Sequence, residues 1–128
     1  MITKKSLIYA DECYQIMGLA FKVSKKLGFG HNESYYQKAL AKEFQDNRLK
    51  FKEQLRCKLK YKGADLGIYI LDFLVLDKIV IEIKQKKVVS SKDIDQLYKY
   101  LRAMNLKLGI IITFSKEGAR FKRIVNLK

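Results

Sequence analysis

The chain has no proline, which suits a compact fold without long irregular linkers. It has no apolar run near the ~18 residues of a membrane span, and its N-terminus lacks the apolar core of a signal peptide. A soluble, cytoplasmic protein with no membrane partner is therefore expected. Cysteine is scarce: Cys13 and Cys57 are far apart, with no second pair to complete a metal-type spacing. Both are expected as reduced thiols, with Cys57 facing inward. His31 is the only histidine, so there is no partner for a histidine-based nucleophile or a zinc site. It is expected in a loop near the mouth of any site. Repeats and low-complexity tracts are absent. Acids are few, 13 against 27 Lys plus Arg.

That imbalance gives a net charge of +14. A field of this sign recruits polyanions and repels cations. Nucleic acid is the favoured partner, because each phosphate that a lysine neutralises releases counterions. The competing reading is a lysine-rich surface that serves solubility. With 128 residues and 48% apolar content, the chain is long enough for one domain with one core, spanning 1–128.

The apolar spacing predicts a helix over about 6–27, with Leu7, Ala10, Tyr14, Met17, Phe21, Val23 and Leu27 inward, stopped by Gly28 and Gly30. Asn32 is placed to cap a second helix ending near Asn47, with Tyr36, Ala39, Leu40 and Phe44 inward. The period then shortens to two. Phe51, Leu55, Cys57, Leu59 and Tyr61 alternate with Lys52, Gln54, Arg56, Lys58 and Lys60, which predicts a half-buried strand with a basic outer face. A turn over 62–67, containing the turn glycines Gly63 and Gly67, leads to strands over 68–76 and 79–84. Both strands are apolar on both faces apart from Asp72, Glu82 and Lys84, and are expected to be central. Ser90 and Asp93 have capping-box spacing for a third helix lined by Ile94, Leu97, Tyr98, Leu101 and Met104. Strands over 108–114 and about 121–125 complete the order ααβββαββ, an α/β class with a mixed sheet flanked by helices.

Glu82 and Lys84 share one face of their strand, while Ile79, Ile81 and Ile83 share the other. Asp72 sits ten residues upstream of Glu82 inside an apolar run. Acids held close together imply a cation, and Mg²⁺ takes a few carboxylates plus water. A neighbouring lysine can orient an attacking water or balance transition-state charge. These are the groups that metal-assisted phosphodiester hydrolysis needs. The bland alternative is a solvated acid-base pair on an exposed strand face. Alternation also makes a demand: a two-residue loop at Asp77-Lys78 would pair Asp72 with Ile83 and turn it away from Glu82. A loop of odd length or a bulge is required, and a bulge is expected between Phe73 and Val80.

The run Gly28-Phe29-Gly30-His31-Asn32-Glu33-Ser34-Tyr35-Tyr36-Gln37-Lys38-Ala39-Leu40 resembles the signature of the GxxExxY proteins, a branch of the PD-(D/E)XK nuclease superfamily, with Gly30, Glu33 and Tyr36 as the signature proper. The resemblance continues through Tyr61-Lys62-Gly63, Asp72-Phe73-Leu74-Val75, Glu82-Ile83-Lys84, Gln96 with Tyr100-Leu101, and Gly109 to Phe114. It implies a restriction-endonuclease-like fold. It also implies Asp72 and Glu82 as main metal ligands with the Ile83 carbonyl, Glu33 as an additional acid at the metal, Lys84 as catalytic lysine, and Gln96 reaching the site from its helix. Leu71 stands where the superfamily name has proline, a position that varies widely in the superfamily.

Each position has a plainer reading. Glu33 suits the positive end of a helix. Tyr36 has the register of a core residue, and Tyr35 is a candidate to stack on a base. Gln96 could be an ordinary polar helix residue. The basic residues form three groups: Lys52, Arg56, Lys58 and Lys60 on one strand; Lys84, Lys86, Lys87 and Lys92 beside the site; Lys116, Arg120, Lys122, Arg123 and Lys128 at the end. They suit a phosphate track that holds the backbone without reading sequence. The resulting expectation is a nuclease dependent on Mg²⁺ (or Mn²⁺), acting on DNA nonspecifically or by structure, with a homodimer if both strands are cut. The alternatives are a nucleic-acid-binding module without catalysis and an accessory protein acting with a partner, which an exposed apolar patch on the first helix would favour.

Overall fold

The computed structural model describes residues 7–127. Helices α1 (Ala10–Leu27) and α2 (Glu33–Asp46) precede strands β1 (Phe51–Tyr61), β2 (Ala64–Val75) and β3 (Ile79–Lys84). Helix α3 (Ser91–Met104) and strands β4 (Leu108–Ser115) and β5 (Gly118–Val125) follow. The expected order ααβββαββ and the mixed sheet both hold, the restriction-endonuclease-like arrangement. The sheet runs β1-β2-β3-β4-β5 in space. Its neighbours are antiparallel except β3 and β4, which are parallel and joined through α3.

Two apolar layers hold the sheet. On one face Phe73, Val75, Ile79, Ile81, Ile83, Ile110, Ile112 and Phe114 pack against α1 and α2. On the other Leu71, Leu74, Val80, Ile111 and Ile124 pack against Leu97, Tyr100 and Leu101 of α3. Gly109 permits this second contact: a Cβ there would lie 2.8 Å from Leu97 Cδ2. The start of α3 has the full reciprocal cap, Ser90 Oγ accepting from the Asp93 N–H and Asp93 accepting from the Ser90 N–H.

Four expectations need correction. Helix α1 starts at Ala10 and buries Cys13, Ile16, Leu19, Ala20 and Val23. Tyr14 and Phe21, expected inside, are 74% and 52% exposed. Two apolar stripes compete on this helix, and the one with the smaller side chains lies closer to α2 and β5. Second, β2 begins at Ala64, because Lys62 and Gly63 alone make the turn with positive φ at both. Gly67 is a strand residue paired with Leu59, beside the register shift at Leu59/Lys60. Third, β2 is not buried throughout, since Ile68 and Ile70 are 46% and 45% exposed. The outer half of the β1–β2 hairpin runs past the helices.

Fourth, no register shift falls between Phe73 and Val80. The β2–β3 loop is Leu76-Asp77-Lys78, an odd count, with Leu76 and Asp77 both left-handed. The pairs Val75↔Ile79, Leu74↔Val80 and Phe73↔Ile81 follow, which sets Asp72 opposite Glu82. The irregularity lies one strand away. Leu71 and Phe73 are two residues apart yet sit in opposite apolar layers, as do Leu55 and Phe51 on β1. Both strands exchange faces at the opposed positions Gln54 and Asp72, which fall between the pairs Glu53↔Phe73 and Leu55↔Leu71. Gln54 absorbs the change with φ 49°, a left-handed conformation costing about 1 kcal/mol for a residue with a Cβ.

Candidate active site

The β2–β3 ladder ends at Phe73↔Ile81, and beyond it the strands part. β2 turns toward its hairpin with β1, while β3 continues alongside β4 through Lys84↔Thr113. Side chains replace the missing ladder bonds in this fork. The Ile83 N–H donates to Asp72 Oδ2 at 2.7 Å, and the Asp72 N–H donates to Glu82 Oε1 at 3.4 Å. The fork thus brings both carboxylates together on partly buried backbone.

Their ionisation reflects the enclosure. Burial is the largest influence on Glu82 and the Asp72 charge adds to it, pushing the Glu82 carboxyl up to about 8. Burial also raises Asp72, opposed by the Ile83 N–H and reinforced by the Glu33 charge. Two acids that resist joint ionisation would accept a cation readily. Among the described residues, no three acids, histidines or cysteines gather into a ready metal cage. The Asp72–Glu82 pair fits a hard divalent ion of the Mg²⁺ type, which is content with one or two carboxylates and keeps its remaining waters.

Glu33 is the first residue of α2, and its Oε1 accepts from the Gln85 N–H at 3.0 Å. It borders the pair, close enough to raise Asp72, with its own oxygen engaged by the chain that leaves β3. Tyr36 explains how Glu33 comes to stand there. Its ring is buried flat on Phe114 with centroids 4.5 Å apart, and its hydroxyl donates to the Gly28 carbonyl at 2.6 Å. The same hydroxyl accepts from the His31 N–H at 3.4 Å. Tyr36 is therefore a core residue that pins the α1–α2 loop, where Gly28 and Gly30 have φ of 78° and 103°. His31 lies in that loop, its Nε2 3.0 Å from the Leu27 carbonyl.

Lys84 shares the face of Glu82 and lies 3.9 Å from Asp93 Oδ1. Lys86 pairs with the other Asp93 oxygen. Burial tends to raise Asp93, but the Lys86 ammonium and the Ser90 N–H and hydroxyl outweigh it and hold the carboxyl at about 2. Asp93 was visible in the sequence only as a helix cap; its hold on two lysines depends on where α3 begins. Gln96 does not reach the carboxylates directly in this structure. It acts weakly on Tyr100, whose hydroxyl is raised by burial first and then by the Glu82 charge, with Gln96 opposing. Gln96, Tyr100, Tyr69, Lys92 and Lys99 line a cavity of about 430 Å³.

Of the lysines assigned to phosphates, Lys52 neighbours Asp77, Lys60 neighbours Asp65, and Lys87 neighbours Glu117. Arg56 and Lys58 lie exposed on the β1 hairpin arm, and Lys92 borders the α3 cavity. Both cysteines are free, and Cys57 packs toward Met104 in the α3 layer. Sequence reasoning missed Gln54 and Gln37. Gln54 Nε2 donates to Gln37 Oε1 at 2.8 Å, and Gln37 Nε2 donates to Glu53 Oε2 at 3.3 Å. Gln54 also adds a small lowering influence on the Asp72 carboxyl. The turn at Lys62-Gly63 alone would place Gln54 opposite Leu71; the register shift at Leu59/Lys60 moves it opposite Asp72, and no local signal announces that shift. Among the described residues no helix is long and apolar enough to cross a membrane.

The profile of the PD-(D/E)XK nuclease superfamily matches residues 10–124. Similar solved structures include SSO0001, with TM-score 0.54 and 17% identity over 73% of this chain and 49% of that one. An alkaline exonuclease (LHK-Exo) from Laribacter hongkongensis gives TM-score 0.54 and 14% identity over 98% of this chain and 72% of that one. The same exonuclease in complex with dAMP gives 0.52 and 13%, over 96% and 73%. The chain spans about half the length of SSO0001. No curated protein matches it in sequence.

Proposed function

The chain belongs to the PD-(D/E)XK nuclease superfamily, and from that premise we propose that it is a divalent-metal-dependent nuclease of the GxxExxY branch. Its substrate is DNA, cut nonspecifically or by structure, and Mg²⁺ or Mn²⁺ is its metal. The reading takes residues 1–128 as one nuclease domain working in the cytoplasm. The observation that carries it is the register that opposes Asp72 to Glu82 beside Lys84, two partly buried acids that resist joint ionisation without a cation. The net charge of +14 supports a polyanionic substrate.

Asp72 and Glu82, with the Ile83 carbonyl, would hold the metal, which supplies an activated water and a counter-charge for the leaving oxygen. Glu33 acts as the outer acid. Lys84 orients the water or steadies transition-state charge, and must leave Asp93 to do so. Gln96 acts through Tyr100 at the α3 side of the site. Lys52, Arg56, Lys58, Lys60, Lys86, Lys87 and Lys92 hold phosphates. The test is cleavage of linear duplex, single-stranded and four-way-junction DNA, with an RNA control, in Mg²⁺, Mn²⁺ or EDTA. Metal-dependent cutting that disappears in Asp72→Ala is expected. Binding without cutting, unchanged in Asp72→Ala, would leave a nucleic-acid-binding module.

One observation favours a second reading, an accessory protein acting with a partner. Leu7, Ala10, Cys13, Tyr14 and Met17 line an apolar hollow of about 390 Å³ on α1, and Phe21 is exposed on the same helix. Co-purification of an α1-dependent complex that lacks nuclease activity would select it. A homodimer for two-strand cutting would appear as a second-order dependence of duplex cleavage on protein concentration.

A further inference from the structure

Gln54 combines three features at one position. It is left-handed, with φ 49°, at the one position between Phe51 and Leu59 where the β1–β2 pairing lapses. It stands opposite Asp72, at the point where both strands exchange faces. Its amide nitrogen donates to Gln37 Oε1 on α2 at 2.8 Å, and its side chain favours the charged form of the Asp72 carboxyl on β2. An amide nitrogen carries two hydrogens, so the bond to Gln37 leaves one for Asp72. Non-glycine residues in this conformation gather at functional sites, where the surroundings over-determine them.

We propose that Gln54 is the positioning residue for the metal-binding carboxylate: it holds Asp72 from the side opposite the Ile83 N–H and ties that setting, through Gln37, to helix α2 and so to Glu33. Asp72 is then gripped from β1 and from β3 at once, with Oδ2 engaged by Ile83. Two grips restrict the rotation that a single hydrogen bond would leave free. Gln37 lies one helical turn after Glu33, so the α2 end that carries Glu33 is set against the same point of the sheet. Gln54 touches neither substrate nor metal in this scheme. It acts through Asp72, as groups behind a ligand fix its direction and basicity.

The inference rests on the metal-dependent reading of the site, and its test separates the two. Gln54→Gly removes the amide while accepting the left-handed backbone, so the fold should keep its melting temperature or gain a little. Mn²⁺ binding by calorimetry should weaken by about 10- to 100-fold in Gln54→Gly, the range typical of lost support behind a ligand. kcat should fall with KM for an oligonucleotide unchanged, since the phosphate contacts remain. Gln54→Asn, which tolerates positive φ and keeps a shortened amide, should recover part of the Mn²⁺ affinity. Gln37→Ala should give a smaller loss in the same direction. A Gln54→Gly protein with wild-type Mn²⁺ affinity and kcat would overturn the inference and leave the nuclease reading standing. A wild-type protein that takes up no Mn²⁺ would remove both.

Discussion

Asp72 and Glu82 face each other across two strands that have stopped pairing, joined by the Asp72 N–H donating to Glu82 Oε1 at 3.4 Å. The metal-free fork therefore keeps at least one proton that water would have removed. Glu82 holds its proton to about 8, against an ordinary 4.5. The folded form binds more protons between those values, so this contribution is complete below 4.5 and is lost as pH rises through 8. Without metal, the melting temperature should drop by about 5–10 °C between pH 5 and 9. Glu82→Gln should flatten that slope, and Mg²⁺ should restore the alkaline loss in wild type alone. A wild-type melting temperature that is level or rising over this range would refute the enclosure of the pair.

Lys84 is held 3.9 Å from Asp93 and is free of the β3–β4 hydrogen bonding through its side chain. Lys84→Ala should lower kcat by about 10²- to 10³-fold, the loss typical of one aimed charge. Affinity for DNA in EDTA should change by no more than a few-fold, because other lysines meet the backbone. An equal loss of binding and turnover would make Lys84 one more phosphate contact.

Gly109 lies directly under Leu97 of α3. A methyl group there meets three Leu97 carbons at 2.8 to 2.9 Å, and Leu97 is 1% exposed with nowhere to go. Gly109→Ala should destabilise by about 1–3 kcal/mol in urea unfolding, an overpacking effect. In a Leu97→Ala background the same substitution should cost far less, since the obstacle is gone. Equal costs in both backgrounds would deny the contact.

Tyr36→Phe removes the hydroxyl that serves the Gly28 carbonyl and the His31 N–H. The ring remains on Phe114, so the loss should be about 1 kcal/mol. Hydrogen exchange over residues 28–34 should speed up while β4 stays protected. Exchange that rises equally in both places would mean that the ring stack, and not the hydroxyl, holds the loop.

The elements with one dominant apolar period were legible before the structure: α2, α3 with its cap, β3 and β4. Helix α1 misled because Tyr14 and Phe21 mimic a core stripe, and only the neighbouring α2 and β5 decide which stripe is buried. The pairing of acids was legible as a requirement of parity, since Asp72 and Glu82 can share a site only if the loop between them is odd. Its solution was not legible. Asp77 is of a type that tolerates a left-handed conformation, but Leu76 takes one that its type does not announce, so the expected bulge was unnecessary. Gln54 was hidden for the same reason. Nothing local marks a glutamine for positive φ; the cost is met by contacts with α2 and β2 that exist only after folding.

The hairpin arm is a lever. Its outer half, from about Lys58 to Ile68, is exposed except at Leu59, with no helix laid over it. From Gln54 to the turn at Lys62-Gly63 the arm reaches about 25 Å at the usual strand rise. Its fulcrum is the Gln54–Asp72 pair, where the sheet changes faces and the ladder to β3 ends. A strand of nucleic acid lying on Arg56, Lys58 and Lys60 would load the free end, and the torque would be delivered at a carboxylate of the site. Contacts made along the arm and the setting of Asp72 therefore fall on one pair of strands.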